Sequence, residues 1–392
     1  MNILMSGSFL LHPQKVWWRA ALFHVHLWVG LILGLYVCAV GISGSMVVLE
    51  EELTRLSRPD LFRSGSQRDP IRYESLAAIA ADVKARFPGY GFSEIFFPIT
   101  NEPALQFSGS MRRPDGKTET LDVHIDPATG KILGTTDRRF WLSRIRALHV
   151  ELLAGQAGLI LNGCGAFLLV ILVATGTVIW WRGVRHWHRA FRVDFGRKWS
   201  RINFDLHSAV GVWLLLFVFI WGISGVYLVW PDSFVSFLDR LTPARSGVSP
   251  TVVATAHSGE PLPFISLVEK AAKMYPGSKL LEVELPQCSE DALVVVVAPD
   301  ETFRRATHVF FDPVTGEVLK MWTRGQGETL GARILPWLAD LHFGERWGLG
   351  VKLLWAALGL ALPILAVTGA LMYWNRFLAK RWRRIVRATP SL

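Results

Sequence analysis

Four histidines stand at matched places in a chain that is otherwise largely apolar. His26 lies near the start of HVHLWVGLILGLYVCAVGISG (24–44) and His207 near the start of its echo, DLHSAVGVWLLLFVFIWGISG (205–225). His149 sits in RALHVELLAGQAG and His342 in the related LADLHFGERWGLG. A neutral imidazole is the commonest side-chain nitrogen ligand of a metal. Two imidazoles from opposing helices, with a slot beside them wide enough for a porphyrin, are what a bis-histidine haem iron requires. A single histidine at a helix end is usually an interfacial polar residue, so recurrence carries the argument. His26 pairs with His207 and His149 with His342. The chain has no C-x-x-C-H attachment motif, so each haem would be a haem b held without thioether bonds, two per chain.

Small residues accompany each histidine. Gly30 and Gly211 follow His26 and His207 by four residues, on the same helix face, where a missing side chain leaves room for a flat ligand. Ser43-Gly44 and Ser224-Gly225 close the two echoed stretches, while Thr175-Gly176 and Thr368-Gly369 recur in VATGTVIWWR and AVTGALMYWNR. Each histidine pair thus meets a small-residue step on the other helices at about its own depth. Glycine and serine in membrane helices also serve plain close packing.

The elements that must position these residues are four runs, Leu27 to Leu49, Gly158 to Trp181, Ala209 to Trp230 and Leu353 to Trp374, each uncharged and long enough to cross a bilayer core. They divide the 392 residues into an N-terminus (1–26), spans at 27–49, 158–181, 209–230 and 351–374, loops at 50–157, 182–208 and 231–350, and a tail (375–392). The first span has no cleavage site and is read as a retained anchor. Residues Arg182 to Phe204 hold seven basic residues against one acid, and Arg376 to Leu392 six against none. That excess places the short segments and both termini in the cytoplasm and the long loops outside. The net charge of +10 is therefore a topology signal and implies no nucleic-acid partner. The only large partner it requires is the lipid bilayer.

Each long loop holds a related unit. SLAAIAADVKARFPG and SLVEKAAKMYPG read as helices, followed by strand-like runs and the hairpins LDVHIDPATGKILG and THVFFDPVTGEVLK. The fold expected is a four-helix membrane protein made of two parallel, pseudo-symmetric halves, each span, small α+β module, span. An even number of spans per half implies an axis along the membrane normal.

The remaining histidines are secondary. His24 has Asp205 at its repeat position and points away from His26, so it is an alternate or supporting group. His186 and His188 lack counterparts; they read as headgroup residues that could compete as inner ligands. His124 and His308 belong to the modules. Cys38, Cys164 and Cys288 form no disulfide framework.

The motifs HLWVGL, FDLHSAVG, LHVELLAG, LHFGERWG, the TG…WW and TG…YW exits and the paired D-P-x-T-G hairpins together resemble the PepSY-associated transmembrane family of bacterial inner-membrane proteins. The likeness covers all but roughly the first twenty residues and the tail. It implies PepSY-like periplasmic modules and a haem-containing reductase that passes electrons across the membrane to a ferric siderophore and so releases iron. Its axial ligands would be His26, His149, His207 and His342, with the electron donor a quinol or a cytoplasmic reductant. Leu27-Trp28 and Ser208-Ala209 stand where an arginine often follows the histidine in that family. Propionate partners are then sought among Arg182, Arg185 and Arg201 on one side and Arg144, Arg146 and Arg346 on the other. Trp141, Trp322, Trp337 and Trp347 mark either an acceptor surface or an interfacial belt.

Two rival functions are open. PepSY modules also imply sensing, peptide binding or protease regulation, with the helices as an anchor; four matched histidines have no use in an anchor. A siderophore transporter is the other, but the spans hold no acidic residue for a proton-coupled path.

Overall fold

The computed structural model describes residues 16–62, 73–99, 104–114, 118–137, 140–182, 187–243, 253–254, 259–300, 305–323, 329–344, 347–379 and 382. The chain divides into two compact units, one comprising Met1–Glu50, Ile145–Phe234 and Leu338–Leu392, the other Glu51–Arg144 and Val235–Trp337.

The first unit is a bundle of four long helices: α1 (Trp18–Val47), α5 (Gly155–Trp180), α6 (Trp199–Val229) and α10 (Leu349–Tyr373), the last continued by a π-helical turn at Trp374–Leu378. All four are long and apolar enough to cross a membrane. Their faces are the reverse of a soluble bundle. Ile32, Leu35, Leu161 and Trp213 are exposed, whereas Ser43, Ser45, Thr175, Ser224 and Thr368 are buried. With hydrocarbon as solvent there is no gain in hiding leucine, and helices associate through small and hydrogen-bonding residues. Thus α1 meets α10 where a Cβ on Gly41 would lie 2.8 Å from the Gly359 carbonyl oxygen, and Ser45 donates to the carbonyl of Ala356 at 2.9 Å. Gly222 and Gly225 of α6 pack in the same way on Val170 and Ala166 of α5.

Two of the helices begin well before the uncharged runs do, α1 at Trp18 and α6 at Trp199. In the added turns several polar groups find partners inside the bundle. Arg19 donates to the carbonyls of Ile179 and Trp181, capping the end of α5. Arg201 pairs with Asp205 one turn on at 3.0 Å, and Asn203 donates to the carbonyl of Thr368 at 2.9 Å. Two shorter helices, α4 (Trp141–Glu151) and α9 (Leu330–Phe343), precede α5 and α10.

The second unit is built on one antiparallel sheet of eight strands in the order β4-β3-β2-β1-β5-β6-β7-β8. Its strands are β1 (Gly91–Phe96), β2 (Leu105–Arg112), β3 (Thr118–Ile125), β4 (Ile132–Asp137), β5 (Lys279–Glu284), β6 (Leu293–Ala298), β7 (Thr307–Phe311) and β8 (Val318–Thr323). Helices α3 (Tyr73–Arg86) and α8 (Phe264–Met274) cover one face, burying Leu76, Val83, Leu267 and Val268 against Ile95, Val123, Val283 and Val309. Short helices α2 (Glu50–Ser57) and α7 (Pro231–Leu238) follow α1 and α6 in the chain. The D-P-x-T-G hairpins are built alike. Asp126 accepts from Ala128 N and Thr129 Oγ1, and Asp312 from Val314 N and Thr315 N. Gly130 and Gly316 then take the left-handed φ of 68° and 72° that favours glycine.

The two modules expected from the sequence are thus halves of a single sheet. β1 pairs with β5, Ile95 facing Val283, and this covers one of the two edges each four-stranded module would otherwise present, leaving β4 and β8 at the ends of the sheet.

Candidate functional site

The bundle brings the four histidines together as two pairs. His26 and His207 have ring centroids 6.4 Å apart with planes at 86°, and His149 and His342 are 6.3 Å apart at 54°. Ser43, which meets the second pair, lies about 26 Å of helix rise beyond His26 at roughly 1.5 Å per residue, so the pairs occupy opposite ends of the bundle.

In all four imidazoles the position of the proton follows from the partners. His26 Nδ1 is 3.1 Å from Thr175 Oγ1, His207 Nδ1 2.9 Å from Thr368 Oγ1, His149 Nδ1 3.3 Å from Ser43 Oγ and His342 Nδ1 2.8 Å from Ser224 Oγ. Each hydroxyl already donates its hydrogen to the carbonyl four residues back in its own helix: Thr175 to Ile171, Thr368 to Ile364, Ser43 to Ala39 and Ser224 to Ile220. The hydroxyl oxygen can therefore only accept, so Nδ1 carries the hydrogen and Nε2 the lone pair. At His149 the Val40 carbonyl, 3.2 Å from Nδ1, demands the same tautomer. Burial pushes both His149 and His342 below the usual imidazole range and favours their neutral forms; Arg146 adds to this at His149, and His149 adds to it at His342.

The glycines divide by role. A Cβ on Gly44 would lie 2.7 Å from His149 Cε1, on Gly176 3.1 Å from His26 Cε1 and on Gly369 3.3 Å from His207 Cε1, so these three admit the rings. Gly225 does not. A Cβ there would lie 2.9 Å from Ala166 Cβ, so Gly225 serves helix packing, because its position on α6 faces α5. Gly30 and Gly211 have no neighbour closer than a leucine methyl at 3.8 Å and line an open cavity.

That cavity, of about 540 Å³, surrounds the His26/His207 pair. Leu169, Leu172, Val218 and Leu365 give it an apolar wall, while Arg182, Ser208, Asn375 and Arg376 reach it where α5 and α10 end and α6 begins. Arg182 donates to Ser208 Oγ at 3.4 Å and stands 4.0 Å from Asp205, and Arg376 lies over the Phe23 ring. Arg201 is taken up by Asp205, and Arg146 by Glu50. Arg144 is exposed on α4. Arg185, His186 and Arg346 fall outside the described residues.

His24 is exposed beside Phe23, and His188 is exposed. Neither approaches a pair as a ring contact. His124 bonds Thr136 within the sheet, and His308 and Trp322 pack edge to face. Trp141, Trp337 and Trp347 are each partly exposed. The serine and threonine hydroxyls were visible in the sequence only as small-residue steps; their recurrence beside glycine in S-G and T-G was the available signal. Arg376 carried no such mark.

Two imidazoles bound to opposite sides of one metal ion at about 2 Å per bond have ring centroids roughly 6.3 Å apart. Both pairs meet that separation. Among the described residues no cluster of three or more His, Cys, Asp and Glu side chains could hold a bare ion. A pair of imidazoles alone would suit a metal that brings further donors of its own, as a haem would.

No curated protein matches the chain in a sequence comparison. A family model described as the PepSY-associated TM region matches residues 23–376, which spans all four histidines, the sheet and the four long helices except the first turn of α1. The chain belongs to the PepSY-associated transmembrane family.

Proposed function

We propose that the protein is a di-haem membrane oxidoreductase that reduces ferric siderophores. The observation that carries this reading is the shared tautomer: four half-buried imidazoles, in two facing pairs, each hold the hydrogen on Nδ1 and leave Nε2 free to bind metal. Haem b bound in each pair supplies one-electron redox chemistry at two depths, linking a quinol or cytoplasmic reductant to a periplasmic Fe(III) chelate whose hold weakens once the iron is Fe(II).

The chain's own residues do the rest. His26 and His207 hold the metal of one site, and His149 and His342 that of the other. Thr175, Thr368, Ser43 and Ser224 fix ring orientation and strengthen the imidazoles as ligands. The leucine and valine wall of the cavity excludes water. Arg182 and Arg376 reach the cavity's polar end as partners for two carboxylates. The positive-inside charge bias supports placing that end in the cytoplasm and the His149/His342 pair toward the periplasm of a bacterial inner membrane. The repeat supports a pseudo-two-fold axis relating parallel halves.

The test is a pyridine haemochrome assay on purified protein combined with re-oxidation kinetics. We expect close to two haems per chain. His342→Ala should remove one of them, keep the other and abolish re-oxidation of the dithionite-reduced protein by a ferric siderophore. Wild-type protein that takes up no haem, or a His149→Ala with His342→Ala variant that keeps two and re-oxidises at the wild-type rate, would overturn the reading.

A further inference from the structure

The His149/His342 pair is mounted differently from its counterpart. His26 and His207 project from the long helices themselves, but His149 and His342 stand in the last turns of the short helices α4 and α9. A helix end leaves its final carbonyls without intrahelical donors. In α4, Leu152 N and Leu153 N fold back onto the carbonyls of Leu148 and Ala147, with Leu152 and Leu153 both in the left-handed region at φ 48° and 59°. Ala154 N takes the carbonyl of Glu151. That leaves His149 and Val150, and the Asn162 side chain on α5 donates to both, at 2.8 and 2.9 Å.

The second half solves the same problem with other atoms. In α9, Gly344 N folds back onto the Asp340 carbonyl, and Trp355 Nε1 of α10 donates to the carbonyl of Leu341 at 2.8 Å. Asn162 and Trp355 occupy the same place in the repeat, and so do the side chains that orient them. Tyr36 of α1 donates to Asn162 Oδ1 at 2.8 Å and to its carbonyl at 3.1 Å. Phe217 of α6 packs edge to face on Trp355, centroids 5.6 Å apart. A polar clamp in one half and an aromatic one in the other thus bind the backbone at or beside a histidine.

We propose that Asn162 and Trp355 are positioning residues for the His149/His342 pair, each tying a short histidine-bearing helix to a membrane helix so that the two Nε2 atoms are held at a metal-spanning distance. This rests on the reading of that pair as axial ligands. Neither residue touches the metal; they act through the backbone carbonyls.

The experiment uses the full chain carrying Asn162→Leu, Trp355→Phe and both, with Asn162→Gln as the conservative variant. Low-temperature visible spectra and potentiometric titration separate the two haem components, which His207→Ala and His342→Ala assign by loss. We expect each single variant to shift the midpoint potential of the component that His342→Ala removes. The double variant should lose that component's low-spin signature, and Asn162→Gln should restore part of it. The His207-dependent component should stay as in wild type and so report an intact bundle. Wild-type behaviour of both components in the double variant, or loss of both together, would overturn the proposal. Hydrogen exchange on haem-free protein reads the clamp without the metal: exchange should rise in the last turns of α4 and α9 and not in the long helices. If wild-type protein held no haem but exchange rose there, the clamp would stand and the axial-ligand reading would fall.

Discussion

At the scale of single residues, chemistry is set less by the histidines than by what fixes them. A ligating imidazole with its Nδ1–H bonded to an oxygen is a better donor at Nε2, and loss of such a partner typically costs about 10- to 100-fold in metal affinity. Thr368 keeps nearly the same shape when replaced by valine but loses the accepting oxygen 2.9 Å from His207. Thr368→Val should therefore leave the bundle folded, raise the midpoint potential of the haem proposed at His26/His207 and weaken its retention by about 10-fold or more. Haem content and potential measured against Ser224→Ala check this, since Ser224→Ala should act only on the other component. Equal effects of both variants on both components would refute residue-level control. The histidines were legible in the sequence because they recur. Asn162 and Trp355 were not, because unlike side chains at matched positions leave no repeat to see.

Among the elements, uncharged runs identify the spans because a bilayer core tolerates nothing else. Their ends were less legible, since Arg19, Arg201 and Asp205 read as loop charges until their partners inside the bundle are known. The sheet shows the same limit. Its hairpins follow from D-P-x-T-G, but the pairing of β1 with β5 joins strands far apart in sequence, and no local pattern encodes it. That seam carries a testable strain. Glu94 faces Glu284 across it, and Glu282 lies two pairs further along, opposite Phe96. Burial, together with Glu284 and Glu94, pushes the Glu282 carboxyl up to about 8. An unfolded glutamate titrates near about 4.3. The folded sheet therefore keeps a proton that the unfolded chain gives up, so this contribution to stability is complete below about 4.3 and is lost as pH rises through about 8. Glu282→Gln should flatten that loss. Thermal unfolding of the sheet followed from about pH 6 to about pH 9 should show a falling midpoint in wild type and a shallower fall in the variant. Parallel slopes would mean that Glu282 is already ionised.

For the whole molecule, the decisive feature is that each pair takes one histidine from each half of the repeat: His26 and His149 come from the first, His207 and His342 from the second. The halves also share backbone, through the seam between β1 and β5 in the sheet and the close approach of Gly41 to Gly359 in the bundle. A half with its partner removed keeps one ligand of each site and exposes a sheet edge and two helix seams lined by small residues. On the proposed reading it could complete neither metal site as a monomer, because each site would need two imidazoles and a half supplies one to each. Splitting the chain in the segment between α5 and α6 should therefore give two fragments that hold no haem singly as monomers and recover both on co-expression. Placing His207→Ala on the second fragment should remove only the site it shares with His26, and His342→Ala only the other. Because the fragments' own seams are similar, any haem retained by one fragment alone should elute with a dimer, its two copies supplying the missing imidazoles. Size-exclusion chromatography monitored at the Soret band separates these cases. A monomeric fragment with a full low-spin spectrum would show that a site is complete within one half, and the pairing of ligands across the repeat would have to be abandoned.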